Sequence, residues 1–226
     1  MVVSAVGFDL DGTLFDHQGA SADAVDTFVS ACGATPSPDM RRRWLTVEDE
    51  QFALWRSGQV TFQEQRRRRL RAFLPEVGVA VPSGDDELDA LFDRYLAGYR
   101  AAWRPFPDSV EVVSGLVASG YRVGILTNGD DRQQRDKLRV TGLVDLVHVV
   151  CTSGAMGVQK PDPRAFRTLA AGLGVPESAC LFVGDDLEAD VNGAEAAGMR
   201  ALLVDRPGEH ADGISAAVAA AIRASG

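Results

Sequence analysis

The chain is poor in cysteine, in lysine and in long apolar runs, and each scarcity removes a class of protein. Three cysteines (Cys32, Cys151 and Cys180) in 226 residues are too few and too scattered for a disulfide framework or a metal cluster. No apolar stretch approaches the roughly 20 residues that span a bilayer. The short one at the N-terminus ends in Asp9 and Asp11, so neither a transmembrane helix nor a signal peptide is expected. Positive charge is short as well. With 23 Lys+Arg against 32 Asp+Glu and a net charge of −9, a nucleic-acid polymer or an anionic membrane is a poor partner. A reduced, cytoplasmic protein is expected, and its oligomeric state is left open. What is present, 46% hydrophobic and 24% charged residues, suits a soluble globular domain with room for an insertion.

Residues 2–7 form an apolar run that reads as a buried strand, and Phe8-Asp9-Leu10-Asp11-Gly12-Thr13-Leu14 follows it. Side chains alternate along a strand, so Asp9 and Asp11 point the same way. Like charges that close need a cation or a shared proton. From residue 121 onward, strands at 121–126, 146–151, 180–183 and 201–204 alternate with helices near 132–140, 163–173, 188–197 and 214–224. Asp162 with Pro163 marks one helix start and Gly174 its end. Such alternation predicts an α/β fold: a Rossmann-like, doubly wound parallel sheet whose ligands bind beyond the carboxyl ends of the strands. Three further polar clusters fall at those ends: Thr127-Asn128-Gly129, Gln159-Lys160-Pro161-Asp162, and Gly184-Asp185-Asp186 with Asp190.

Residues 16–104 differ. They carry no convincing strand and read as four helices, near 21–32, 38–56, 62–74 and 85–103, with 12 basic against 14 acidic residues. The expected organisation is therefore a discontinuous core, 1–15 with 105–226, and an inserted all-helical cap domain, 16–104. Arg41-Arg42-Arg43 and the arginine run 66–69 spread around their helices, so most of these side chains should face solvent. His17 is expected in a solvent-facing loop, and Trp44, Trp55 and Trp103 in the packing of the cap. Pro105-Phe106-Pro107 is a stiff connector back to the core.

The run 8–14 resembles the first motif of the haloacid dehalogenase superfamily, apolar residues followed by Asp-x-Asp-Gly-Thr/Val-Leu. Thr127, Lys160-Pro161 and the Gly-Asp-Asp-x-x-x-Asp element at 184–190 resemble its remaining motifs, in order and at strand ends. The resemblance implies phosphoryl transfer, with Asp9 as nucleophile forming an aspartyl-phosphate and Asp11 as general acid/base. A hydroxyl and turn N–H groups at Thr127, Asn128 and Gly129 can hold phosphoryl oxygens. Lys160 is one of only two lysines, against 21 arginines, and a compact ammonium suits a point-charge role beside a carboxylate and a phosphate. Lys137, the other, lies on a polar helix and reads as a surface residue. Hard oxygen donors suit Mg²⁺, with Asp9, the Asp11 backbone carbonyl and Asp185 as its ligands. Asp190 would order a metal-bound water or Lys160; Asp186 reads equally as support for the site or as a solvated acid at a helix start.

Within the superfamily the dehalogenase branch lacks an acid matching Asp11, so the resemblance favours a Mg²⁺-dependent phosphatase acting on a small phosphorylated metabolite. A phosphomutase similar to β-phosphoglucomutase would need sugar-holding cap residues, and none is identifiable. The continuation Leu14-Phe15-Asp16-His17 with Ala20 resembles nucleotidase-like and sugar-acid phosphatase-like members more than phosphoglycolate phosphatases. A catalytically silent binding module remains the alternative from another class, and the cap sequence does not name the substrate.

Overall fold

A computed structural model of the chain describes residues 2–224. The chain divides into two compact units: one runs to Asp16 and resumes at Arg104, and the other spans His17–Trp103. These junctions lie one residue from the expected boundaries at 15/16 and 104/105.

Strand β1 (Ala5–Phe8) is buried along its whole length, as a strand covered on both faces must be. The ladder is shorter than the expected strand at 2–7 and ends one residue later. Beyond it, Phe15 bridges Pro105, the Asp16 N–H donates to the Arg104 carbonyl (3.1 Å), and the Phe106 N–H donates to the Leu14 carbonyl (3.0 Å). The chain segments that leave and re-enter this unit thus lie side by side.

The helical unit contains α1 (His17–Ala31), α2 (Pro38–Arg56), α3 (Phe62–Phe73) and α4 (Asp85–Ala101), with a short 3₁₀ turn at Leu74–Val77. Ser37 caps α2 through the Met40 N–H and Thr61 caps α3 through the Glu64 N–H, each satisfying a donor left open at a helix start. Its centre is Trp44, fully buried against Phe28, Phe73, Phe92 and Tyr95. The arginine run divides as helical geometry requires. Arg67 and Arg71 pair with Asp85, Arg67 also with Asp89, and Arg68 pairs with Glu64. Arg69 turns inward, with its guanidinium 4.5 Å from the Trp44 ring centroid and 2.9 Å from Glu48. His17 is not in a solvent-facing loop: it opens α1, with Nδ1 2.7 Å from the Tyr99 hydroxyl.

The first unit continues with α5 (Ser109–Ala118), β2 (Arg122–Thr127), α6 (Asp131–Val140), β3 (Val149–Thr152), α7 (Ser153–Met156), α8 (Pro163–Leu173) and β4 (Cys180–Gly184). A wide π turn at Leu187–Asn192 then leads into α9 (Gly193–Ala196), β5 (Arg200–Leu203) and α10 (Ser215–Arg223). The sequence pattern hid α5, because four valines and a glycine in ten residues are weak helix formers. The expected continuous helix at 188–197 is instead split between the π turn and α9.

The five strands are parallel in the order β3-β2-β1-β4-β5. The chain winds outward from β1 through β2 to β3, then returns to β1's other side for β4 and β5. That reversal makes the carboxyl end of β1 a topological switch point, where open α/β sheets place their ligands. Phe8 pairs in register with both Ile125 and Val183, which sets Asp9 beside the ends of β2 and β4. Beneath the sheet, Phe166, Leu169 and Leu173 on one face of α8 are fully buried in a cluster with Leu126 and Phe182. Among the described residues, no helix is long and apolar enough to cross a membrane, and all three cysteines are free.

Candidate active site

The loop leaving β1 carries the first acid. Asp9 is 5% exposed, and its N–H donates to the Val183 carbonyl of β4 at 2.9 Å. The Lys160 ammonium donates to Asp9 Oδ1 and to Asp190 Oδ1, each at 2.5 Å. Lys160 is itself 5% exposed and Asp190 1%, so this charged trio is withdrawn from water. The Lys160 loop is fastened to the end of β2 by one side chain. Asn128 Nδ2 donates to the Lys160 carbonyl (3.0 Å) and Asn128 Oδ1 accepts the Lys160 N–H (2.9 Å).

Asp185, at the end of β4, completes the acidic set. One carboxylate oxygen from each of Asp9, Asp185 and Asp190 lies within 4.8 Å of the others. Asp185 Oδ1 accepts from the Thr13 hydroxyl at 3.1 Å. Gly12 makes room for it: at φ +89° the backbone is in the left-handed region, and a Cβ there would collide with the Asp185 carboxylate. Asp190 is held on both sides, since its Oδ2 accepts the Asp186 N–H at 3.1 Å. The Asp186 carboxylate caps the π turn by accepting from the Glu188 N–H (2.9 Å) and the Ala189 N–H (2.8 Å). Of the two readings of Asp186, its side chain therefore follows the helix-start one, while its backbone supports Asp190.

Electrostatics at this cluster are unbalanced. Burial pushes the Asp9 carboxyl well above the usual range; the Lys160 ammonium opposes this, and Asp190 and Asp185 add to it. Enclosure by the protein, with the nearby Asp190 charge, raises Asp185 to about 6, although as a residue it keeps an exposed edge. For Lys160, burial alone would lower the ammonium, but the Asp9 and Asp190 carboxylates outweigh it and hold it above its ordinary value. Three carboxylates against one ammonium leave a surplus of two negative charges. An all-oxygen donor set with that surplus fits a divalent cation.

A second arrangement lies beside the first. Asp11 follows Asp9 by two residues, and both of its oxygens are engaged by α6. Lys137 Nζ donates to Oδ1 at 2.6 Å and Gln134 Nε2 donates to Oδ2 at 2.8 Å. The same Gln134 amide donates to Thr127 Oγ1 at 2.7 Å. The acid after the nucleophile run and the hydroxyl at the end of β2 thus share one donor. Lys137 is 1% exposed and lies 4.7 Å from the Phe15 ring centroid. It is not the surface lysine that its polar helix suggests.

The structure brings Asp9, Lys160, Asp185 and Asp190 together in one cluster and Asp11 with Thr127 in the adjoining one. It gives other partners to two groups expected to face a phosphoryl oxygen. The Asn128 side chain is spent on Lys160, and the Gly129 N–H donates to Ser153 Oγ at 2.9 Å. Gln134 and Lys137 were missed by sequence reasoning. The available signal was their i, i+3 spacing, which puts both on one face of α6.

A parallel sheet with an acidic, lysine-bearing site at its switch point and an all-helical insertion after the first strand is the architecture of a Rossmann-like hydrolase with a cap. More closely, residues 3–198 match the family model of the haloacid dehalogenase-like hydrolases. The chain belongs to that family and is a hydrolase of the phosphatase type. It is 35% identical over 223 residues to Phosphatase MT3486 of Mycobacterium tuberculosis, covering 95% of this chain and 93% of that protein. It is also 31% identical over 224 residues to a ribulose-1,5-bisphosphate 5-phosphatase of Halopiger xanaduensis, covering 97% and 92%. Among solved structures it is similar to the HAD-hydrolase YfnB of Bacillus subtilis, crystallised with magnesium, at a TM-score of 0.74 and 23% identity over 92% of this chain and 89% of that one.

Proposed function

We propose that the chain hydrolyses the phosphate monoester of a small metabolite, with Mg²⁺, through an aspartyl-phosphate on Asp9. The observation that carries this reading is the Lys160 ammonium at 2.5 Å from Asp9 inside a pocket of three carboxylates. A buried acid is a nucleophile only when ionised, and Lys160 favours that form where burial opposes it. In the first step an Asp9 oxygen bonds to phosphorus as the ester P–O bond breaks, and Asp11 supplies the proton to the departing oxygen. In the second, water bonds to phosphorus, its proton passes to Asp11, and the Asp9–phosphorus bond breaks to release inorganic phosphate. Thr127 and Lys160 hold the non-bridging oxygens in this scheme.

Asp9, Asp185 and the Asp11 backbone carbonyl would hold the cation. Asp190 is left to Lys160 and the Asp186 N–H, which engage both of its oxygens. When bound, the cation offsets the negative charge that accumulates on the transferring phosphoryl group. The phosphatase names of full-length relatives support a phosphorylated metabolite as substrate, and the free cysteines support a reducing, cytoplasmic setting. The test is release of p-nitrophenol from p-nitrophenyl phosphate. Turnover should require Mg²⁺ and disappear in Asp9→Asn, and a 2-haloacid should yield no halide. Metal-independent turnover, or an active Asp9→Asn enzyme, refutes the reading.

A further inference from the structure

Both lysines of the chain end on an acid of the nucleophile run: Lys160 on Asp9 and Lys137 on Asp11. In a sequence with 21 arginines, this placement singles out Lys137 for more than helix solubility. Its ammonium is almost fully enclosed, while the Asp11 side chain keeps 27% of its surface open. The donor is buried and the acceptor is partly accessible, as a support beneath a working group would be. Gln134, 2% exposed, grips the other oxygen of Asp11 and reaches Thr127 with the same nitrogen. Its own Oε1 has no hydrogen-bond partner, so the side chain is oriented by what it donates to. Two donors on two oxygens fix the rotation as well as the position of the carboxylate, and leave lone pairs to accept a proton.

We propose that Lys137 and Gln134 are positioning residues that align Asp11 as the base for hydrolysis of the aspartyl-phosphate. This rests on the phosphatase reading above and deepens it. The second step is the one that suffers when the alignment is lost. There, as an oxygen–phosphorus bond forms from water, the water proton moves to an Asp11 oxygen and the Asp9–phosphorus bond breaks. The first step is insulated when the departing group is p-nitrophenolate, which leaves without a proton. The phosphoenzyme then forms at its normal rate and waits.

The experiment compares wild type, Lys137→Met, Gln134→Leu, Asp11→Asn and Asp9→Asn in saturating Mg²⁺ with p-nitrophenyl phosphate, by rapid mixing and acid quench. Lys137→Met and Gln134→Leu should each release a burst of p-nitrophenol approaching one equivalent per enzyme, with covalent phosphate trapped on the protein. Steady-state kcat should fall roughly tenfold or more, within the range for loss of general base catalysis. KM should fall in parallel, so that kcat/KM, which reports only the first step, stays within about threefold of wild type. Asp11→Asn should show the same pattern. A merely structural role lowers kcat and kcat/KM together without a burst, and that outcome, or unchanged kinetics, overturns the proposal. If Lys137→Met does not fold, Gln134→Leu decides by the same criteria. An Asp9→Asn enzyme that still turns over removes the phosphatase reading itself. Its inactivity, combined with burst-free Lys137→Met and Gln134→Leu enzymes, removes only this inference.

Discussion

Replacing Lys160 by Met removes one cation and leaves two acids facing each other without it. Asp9 is 5% exposed and Asp190 1%, so neither can recover its hydration where it stands. Removing one partner of a buried ion pair costs about 3–5 kcal/mol, because the remaining charge is stranded. For a chain of this length each kcal/mol lowers the melting temperature by roughly 2–4 °C, so Lys160→Met should melt about 6–20 °C below wild type at pH 7.5 without metal. The pH dependence gives the sharper check. Burial already holds the Asp9 carboxyl above its usual range against the opposing ammonium, so without Lys160 the cost of its charge to stability is present at neutral pH and fades as protonation relieves it. The deficit should therefore shrink between pH 7.5 and pH 5. Far-UV circular dichroism is the right probe. All three tryptophans (Trp44, Trp55 and Trp103) lie in the His17–Trp103 unit, and their emission reports on the wrong part of the molecule. A variant as stable as wild type at pH 7.5, or a deficit that widens toward acid, refutes the account of the cluster.

Two further outcomes follow from the same geometry. Asp185, pushed up to about 6 in the metal-free protein, must lose its proton to bind a cation. Mg²⁺ affinity measured by calorimetry should weaken as pH falls through 6, by about tenfold per pH unit for each proton displaced, and Asp185→Asn should make that dependence shallower, leaving the part that the buried Asp9 carboxyl contributes. Gly12→Ala places a Cβ against the Asp185 carboxylate at a φ of +89°. It should destabilise the fold by roughly 1–3 kcal/mol in urea titrations and weaken Mg²⁺ binding, whereas an unchanged Mg²⁺ affinity would show that the carboxylate tolerates displacement.

The strand ends were readable because chemistry there interrupts otherwise apolar patterns. Asp9 and Asp185 each follow a run that must be buried, and a lysine beside Pro161-Asp162-Pro163 stands out in an arginine-rich chain. Lys137 was unreadable for the opposite reason. Helix α6 carries Asp131, Arg132, Gln133, Arg135, Asp136 and Arg139 around it, and a polar face buried against Asp11 has the same composition as one bathed in water. Asn128 and Gly129 show a different limit. Residue type predicts a group able to bind an anion, but tertiary partners, here Lys160 and Ser153, decide where its hydrogen bonds go. The segment Ser109–Ala118 is helical despite its valines, because packing outweighs intrinsic propensity.

The adjacency of Asp16 and Arg104, joined through backbone and side chain at 3.1 and 2.8 Å, has an evolutionary corollary. The two strands of the doorway are stitched to each other by the body they belong to. Whatever is threaded between them closes a loop whose ends are already pinned, and lengthening such a loop costs only about 0.6 kcal/mol per doubling. New inserts can therefore be grafted, trimmed or exchanged at this seam without re-registering Asp9 against Lys160.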